Sequence, residues 1–298
     1  MRDYVLKALI AEDRILSMIA VSTNLVEEAT RRHKALPTAA SAFGRVLTLT
    51  AILGTTLKER QKISIQILTR GPLKEIYAQS DWKGNVRGYI KWPFVHFPPT
   101  DEGKLNVEGA TGRDGMLYVV RDLGFGEPYV GSVALRTGGI AKDLAYYFAV
   151  SEGIPSAVGA GVYVNTDGSI LGAGGFIIQP LPEVPEETIA ILEKNIGNMP
   201  SISKLISEGA RPEDILEKVA KGLEFEILTR VNIRYKCSCS KGRAERALVS
   251  LGMKEILDMI EKDKGAEVKC EFCGKIYNFT ENELKKILLY IPQKKPPA

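Results

Sequence analysis

Every cysteine in this chain stands in one of two tight pairs near the C-terminus: Cys237 and Cys239 in YKCSCSKGR, then Cys270 and Cys273 in VKCEFCGKIY. Nothing else in the sequence limits the fold so strongly. Four thiols at C-x-C and C-x-x-C suit a tetrahedral metal site, and zinc accepts an all-cysteine set. In CEFC, two spacer residues fit a turn that aims backbone N–H groups at the sulfurs, with Gly274 relieving strain after the second ligand. Glu12, Asp13 and Arg14 interrupt the N-terminal apolar stretch, as they would not in a signal peptide, and no run of eighteen apolar residues occurs. The chain is therefore expected in the cytoplasm with no membrane partner. Thiols stay reduced there, and clustered cysteines signal metal or redox chemistry rather than a disulfide framework.

The expected fold class is α+β: a mixed α/β core with antiparallel strand runs, a helical linker and a small C-terminal four-cysteine zinc domain. Residues 1–179 form the core, with client binding and dimerisation assigned to it below. ILSMIAVST reads as a strand, NLVEEATRRHKA as a helix, and Pro37 opens a second helical stretch. KISIQILTRG, LKEIYAQSDWKG and NVRGYIKWP form a meander broken at Gly71-Pro72 and Gly84-Asn85, and SAVGAGVYVN with SILGAGGFIIQP forms a hairpin. Strands in runs favour α+β over a doubly wound sheet.

At Gln179 the composition shifts. PLPEVPEET carries three prolines, and residues 180–230 then show short helical stripes: Ile189, Leu192 and Ile196; Ile202, Leu205 and Ile206; Ile215, Leu216 and Val219. Helices so short, each with one apolar face, must lie against something larger. Residues 180–230 are thus expected to be a helical linker docked on another domain. A third unit spans 231–290, and 291–298 is expected to be a disordered tail. In that unit two stripes, Ala244–Leu251 and Met253–Ile260, fall out of phase, so Gly252 breaks two helices. AEVKCEFCGKIYNF reads as a hairpin, and Thr280 with Glu283 as a capping box.

Four thiolates on one divalent cation carry a formal charge of −2, which Lys236, Lys241, Arg243, Lys269 and Lys275 stand close enough in sequence to offset. A purely structural zinc ribbon uses C-x-x-C at both ends. The C-x-C here departs from that and favours a labile site, in which each pair can also close on itself. Zinc contributes on the order of 10–16 kcal/mol to folding a small zinc domain. Disulfide loops as short as 237–239 or 270–273 contribute under about 2 kcal/mol each.

This cysteine pattern at the end of the chain resembles that of the redox-regulated 33-kDa heat-shock chaperones. The similarity extends to RDLGFGEPYVGSVAL, GGIAKDLAYYFAVSEGIPSAVGAGV and LVSLGMKEILDMI. The resemblance implies an ATP-independent holdase, not an enzyme, that prevents aggregation of unfolding proteins under oxidative stress. It implies one Zn2+ per chain in the reduced, inactive form, held by Cys237, Cys239, Cys270 and Cys273. On oxidation the disulfides become Cys237–Cys239 and Cys270–Cys273, zinc is released, switch and linker lose structure, and the active form is a homodimer bound to unfolding client proteins. The stripe residues Ile189, Leu192, Ile196, Ile202, Leu205, Ile215, Leu216 and Val219, uncovered when the zinc domain melts away as a lid, are the expected client surface.

Two rival readings carry less. A zinc-ribbon binder of nucleic acid or ribosomes fits the net charge of +4 and the basic residues around the cysteines, yet Glu245, Glu255, Asp258, Glu261 and Glu271 leave no basic stripe. No specific nucleic-acid partner is expected. An enzyme in the first domain finds little support. GAGG (172–175) and VGAGV (158–162) do not complete G-x-G-x-x-G, and in strands such glycines permit close backbone packing. His33, on an expected exposed helical face, and His96, in a proline-rich turn, neighbour no nucleophile.

Overall fold

The computed structural model describes residues 2–12 and 14–290. The expected tail, 291–298, lies outside them. The chain divides into two compact units, one ending at Lys236 and the other beginning at Cys237.

The first unit is built on two sheets. In chain order its elements are β1 (Tyr4–Ile10), β2 (Ile15–Val21), α1 (Thr23–His33), α2 (Pro37–Gly54), β3 (Lys62–Thr69), β4 (Glu75–Asp81), β5 (Asn85–Ile90), α3 (Val107–Thr111), β6 (Gly115–Asp122), β7 (Tyr129–Ala134), α4 (Ala141–Tyr147), β8 (Ala157–Val164), β9 (Ile170–Pro180), α5 (Glu186–Gly197), α6 (Ile202–Ser207), α7 (Pro212–Val219), β10 (Phe225–Asn232) and β11 (Arg234–Tyr235). A five-stranded antiparallel sheet runs β10-β1-β2-β9-β8. A six-stranded sheet runs β11-β5-β4-β3-β6-β7, antiparallel but for the short β11–β5 pair. The expected α+β class is what the structure has.

Helix α2 explains why the sheets come together. Pro37 starts it at a position where the missing N–H costs nothing. It is apolar nearly all round, and it is buried nearly all round, sharing one core with residues of both sheets. At its central strands β2 and β9 the five-stranded sheet is buried on both faces. In β2, Met18 and Ala20 face the α2 core, while Ile19 and Val21 face a second core roofed by α5, α6 and α7. That double burial is the physical reason ILSMIAV is continuously apolar rather than alternating.

Two features differ from expectation. The helical linker does not run to residue 230. It gives way to β10, which completes the edge of the five-stranded sheet, with Phe225 opposite Ile10 and Asn232 opposite Tyr4. FEILTRVN has the alternation of a strand, and the open edge of β1 supplies its partner. The expected boundary at 230/231 thus falls inside a strand. Residues 231–236 stay with the first unit, pinned where Arg234 N–H donates to Gly84 O (3.0 Å) and Lys236 N–H to Val86 O (2.8 Å).

The second unit comprises α8 (Lys241–Leu251), α9 (Met253–Asp258), β12 (Gly265–Lys269), β13 (Ile276–Thr280) and α10 (Glu281–Leu288). Gly252, at φ 91°, separates α8 from α9 as the phase shift requires. β12 and β13 form the expected hairpin. The capping box closes both ways: Thr280 N–H donates to Glu283 Oε2 at 2.9 Å, and Glu283 N–H to Thr280 Oγ1 at 3.4 Å. The core is small, with Ala244, Leu248, Ile256, Tyr277, Phe279 and Leu284 at its centre. A unit of this size needs a further crosslink to hold one structure.

Candidate metal centre and linker seat

The four cysteines come from two separate parts of the second unit. Cys237 and Cys239 lie in the extended segment before α8, whose first turn is capped by Ser240 Oγ accepting from Arg243 N–H. Cys270 and Cys273 lie in the turn between β12 and β13. There Gly274 N–H donates to Cys270 O at 2.8 Å, Cys270 N–H donates to Lys275 O at 2.9 Å, and Gly274 takes φ 72°. Only glycine adopts that conformation without strain, so the expected role of Gly274 is met.

The turn and the extended segment bring all four sulfurs within 4.8 Å of one another. Cys237 Sγ is 3.7 Å from Cys270 Sγ, and Cys239 Sγ is 3.4 Å from Cys273 Sγ. Sulfurs about 2.3 Å from a tetrahedral zinc stand about 3.8 Å apart, so the arrangement fits such an ion. Thiolates are soft donors, which suits zinc or copper(I) over magnesium or calcium.

The sulfurs are not equivalent. Burial raises Cys237 and pushes Cys273 up to about 12, although the Lys275 backbone N–H works against it at Cys273. Burial acts on Cys239 too, but the Tyr277 hydroxyl and the neighbouring thiols outweigh it and bring this thiol down to about 7. Tyr277 Oη donates to Cys239 Sγ at 3.1 Å. Sequence reasoning missed this residue. It sits on β13 opposite Val268, and its sequence signal was only an aromatic residue four positions after Cys273.

Three of the five basic residues expected to balance the sulfurs have other engagements. Lys241 Nζ pairs with Glu283 at 2.5 Å and lies over the Phe279 ring; Arg243 Nη1 donates to Ser238 Oγ at 2.6 Å; Lys275 Nζ lies 5.2 Å from the Tyr277 ring centroid. The Lys241 pair holds Glu283 down to about 2.

The stripe residues of 180–230 all lie on α5, α6 and α7. Leu192, Ile202, Leu205, Ile215, Leu216 and Val219 are buried, and Ile189 and Ile196 are half-buried. Their partners are Leu6, Ile10, Ile15, Ile19, Phe176 and Ile178 of the five-stranded sheet. What the stripe packs on within its own unit is therefore the five-stranded sheet. Tyr4 of β1 and Arg230 of β10 fasten the first turn of α7 by donating to Glu213, Arg230 at 2.7 Å.

The glycine runs make the seat for α6. A Cβ on Gly172 would stand 2.6 Å from both Ser203 O and Ser207 N, and one on Gly161 would stand 3.0 Å from Ser203 Oγ. These glycines permit close backbone approach, as their place in strands suggested; what they approach is a linker helix rather than a phosphate. His33 is half-buried, edge-on to Phe43 with Nε2 3.2 Å from Gly88 O, rather than solvent-facing, and His96 Nδ1 is 3.0 Å from Thr38 Oγ1.

No helix among the described residues is long and apolar enough to cross a membrane. The family model described as "Hsp33 protein" matches residues 3–280. The chain is 44% identical to the 33 kDa chaperonin of Staphylococcus carnosus, over 96% of this chain and 98% of that one. It is 46% identical to the 33 kDa chaperonin of Clostridioides difficile, over 97% and 99%. Among solved structures, the crystal structure of the 33 kDa chaperonin from Thermotoga maritima superposes with a TM-score of 0.88 at 39% identity, covering 97% of this chain and 99% of that one.

Proposed function

Because this chain belongs to the Hsp33 family, a chaperone family, we propose that it is a redox-regulated, ATP-independent holdase of the cytoplasm, held inactive by a four-thiolate zinc site. One observation carries the reading: the sulfurs that gather at one point come from two separate parts of a module whose own core is small. Cys237, Cys239, Cys270 and Cys273 are the ligands, with one zinc per chain. Zinc, when bound, crosslinks the segment before α8 to the β12–β13 turn and contributes on the order of 10–16 kcal/mol to folding.

Oxidation removes that crosslink. In each pair, two thiolates lose two electrons to peroxide, one S–S bond forms, and the peroxide O–O bond breaks to give two waters after protonation. Two peroxides serve Cys237–Cys239 and Cys270–Cys273. Each new bond closes a local loop contributing under about 2 kcal/mol, and neither joins the two halves of the module. The module opens. Cys237 directly follows the pinned segment 234–236, so disorder there reaches β10 and then α5–α7 along the chain.

Those helices are the marginal part of the first unit, having twelve, six and eight residues. Once they lift, two apolar faces are bared together: the stripe from Ile189 to Val219, and the sheet face of Ile15, Ile19 and Phe176 beneath it. Each fully exposed aliphatic side chain forfeits about 1.5–3 kcal/mol, a free energy recoverable by binding an unfolding client or a second copy of the chain. The test is one peroxide titration following zinc release, free thiols and suppression of a client's aggregation. The three curves are expected to move together, and full suppression by the reduced, zinc-loaded protein refutes the reading.

A further inference from the structure

A cleft of ≈840 Å3 in the first unit lies between α2, β8 and the linker helices α5 and α6. Two polar groups of α2 line it without partners. Ser41 Oγ and Arg45 Nε are both shielded from solvent, and neither has a hydrogen bond. The two residues are one helical turn apart and so share a face of α2. The Arg45 guanidinium makes no hydrogen bond or ion pair with any described residue. Glu108, the carboxylate that favours its charge, makes an ion pair of its own with Lys142 at 3.1 Å. Buried polar groups are nearly always paired; Arg45 as a residue is half-buried, and its Nε is the atom shut off from water without a partner.

We propose that this cleft binds a small organic anion, its carboxylate or phosphate oxygens held by Arg45 and Ser41. A planar guanidinium with a hydroxyl one turn away is suited to an oxyanion, which accepts in a fork from Arg and singly from Ser. The remaining wall is mixed. Phe176, Ile196 and Met199 offer apolar surface, and Lys204, without an acidic partner among the described residues, stands at the α6 side. The volume fits a small molecule with an apolar body rather than a bare ion.

The occupant would touch fixed and movable parts at once. Ser41 and Arg45 belong to the core helix, whereas Lys204 belongs to α6, the helix seated on the glycine strands. A ligand bridging them stabilises the seated linker by mass action. This regulatory corollary rests on the holdase reading; the binding site itself does not.

The test is titration calorimetry on the reduced, zinc-loaded full chain at fixed ionic strength, with inorganic phosphate, phenyl phosphate and octanoate as separate probes and chloride as the reference. Saturable one-to-one binding of phenyl phosphate or octanoate is expected, weakened at least tenfold by Arg45→Met and several-fold by Ser41→Ala and Lys204→Ala. Binding of phenyl phosphate alone identifies a phosphate ester as the source of the anion, and octanoate alone a carboxylate. If Arg45→Met does not fold, the two milder variants carry the comparison. No saturable binding by any probe, or binding unchanged in the variants, overturns the site. Inorganic phosphate binding as tightly as phenyl phosphate overturns the apolar half of it. Calorimetry of the reduced protein involves neither oxidation nor a client, so failure here leaves the redox switch standing, and failure of the switch leaves this site standing.

Discussion

Cys239 Sγ lies 3.4 Å from Cys273 Sγ although 34 residues separate them, and the sulfur contact thereby joins the segment before α8 to the β12–β13 turn. A metal shared by all four sulfurs preserves that junction, whereas a bond within either pair abandons it. Under the proposed function, the difference between the two crosslinks would give the module two states.

Chelation under reducing conditions therefore should act as oxidation does. With zinc removed, the core around Leu248, Ile256 and Phe279 has no crosslink. Amide protection is expected to fall to that of an unfolded chain across 237–290. β3, β4 and β6 of the first unit, whose core is independent, keep theirs. Hydrogen exchange read by mass spectrometry checks this, and protection retained across the module after complete metal removal contradicts it.

Oxidation offers a sharper version, because the geometry also permits bonds between the pairs. Peptide mapping after peroxide is expected to find Cys237–Cys239 and Cys270–Cys273. A majority of Cys239–Cys273 bonds would keep the module closed, and the proposed switch would have no open state.

Tyr277 bears on the same centre through its hydroxyl, 3.1 Å from Cys239 Sγ. Removing a group that orients a metal ligand typically lowers metal affinity about 10–100-fold. Tyr277→Phe keeps the ring in the core and deletes only the donor. A loss of affinity at the lower end of that range, measured by chelator competition, is expected with unchanged secondary structure.

How much of this was legible in the sequence follows the range of the interactions. The cysteine spacing, the strain relief at Gly274, the break at Gly252 and the Thr280–Glu283 box all act within a few residues, and each is where pattern reasoning put it. The destination of FEILTRVN was hidden, because only the open edge of β1, at the far end of the first unit, makes it a strand. The linker stripe was visible as apolar periodicity, but not the sheet face that covers it. Tyr277 and the unpaired Arg45 carry no local signature at all. Their significance exists only once distant elements are packed.

The glycine seat gives a prediction that bypasses oxidation. A methyl group on Gly172 meets the backbone of α6 at Ser203 and Ser207, which cannot rotate away as a side chain would. Overpacking of this kind costs about 1–3 kcal/mol. Gly172→Ala is expected to unseat α6 in part and to raise binding of a hydrophobic dye by the reduced, zinc-loaded protein. Dye binding equal to that of the parent would mean that α6 is not the element whose release bares the apolar faces.

The fastening of α7 makes the linker sensitive to acid. Burial alone would raise the Glu213 carboxyl, but the hydrogen bonds from Tyr4 and Arg230 outweigh it and hold it below the ordinary glutamate value. Folding then binds the proton less well than the unfolded chain does. The stabilisation is fully present above the unfolded glutamate pKa of about 4.3 and is lost as pH falls through the lower folded value. Between pH 5 and 7 this contact adds no pH dependence. In Glu213→Gln the charge is gone at every pH, so the variant is expected to melt lower than the parent at neutral pH. That gap should begin to narrow as pH falls below the unfolded glutamate value, and close only once pH has passed the lower folded value, where the parent's Glu213 is neutral too. Paired thermal scans from pH 3 to 7 measure it. A gap that stays constant over the whole range would show that the Glu213 charge contributes nothing to holding α7 on the sheet.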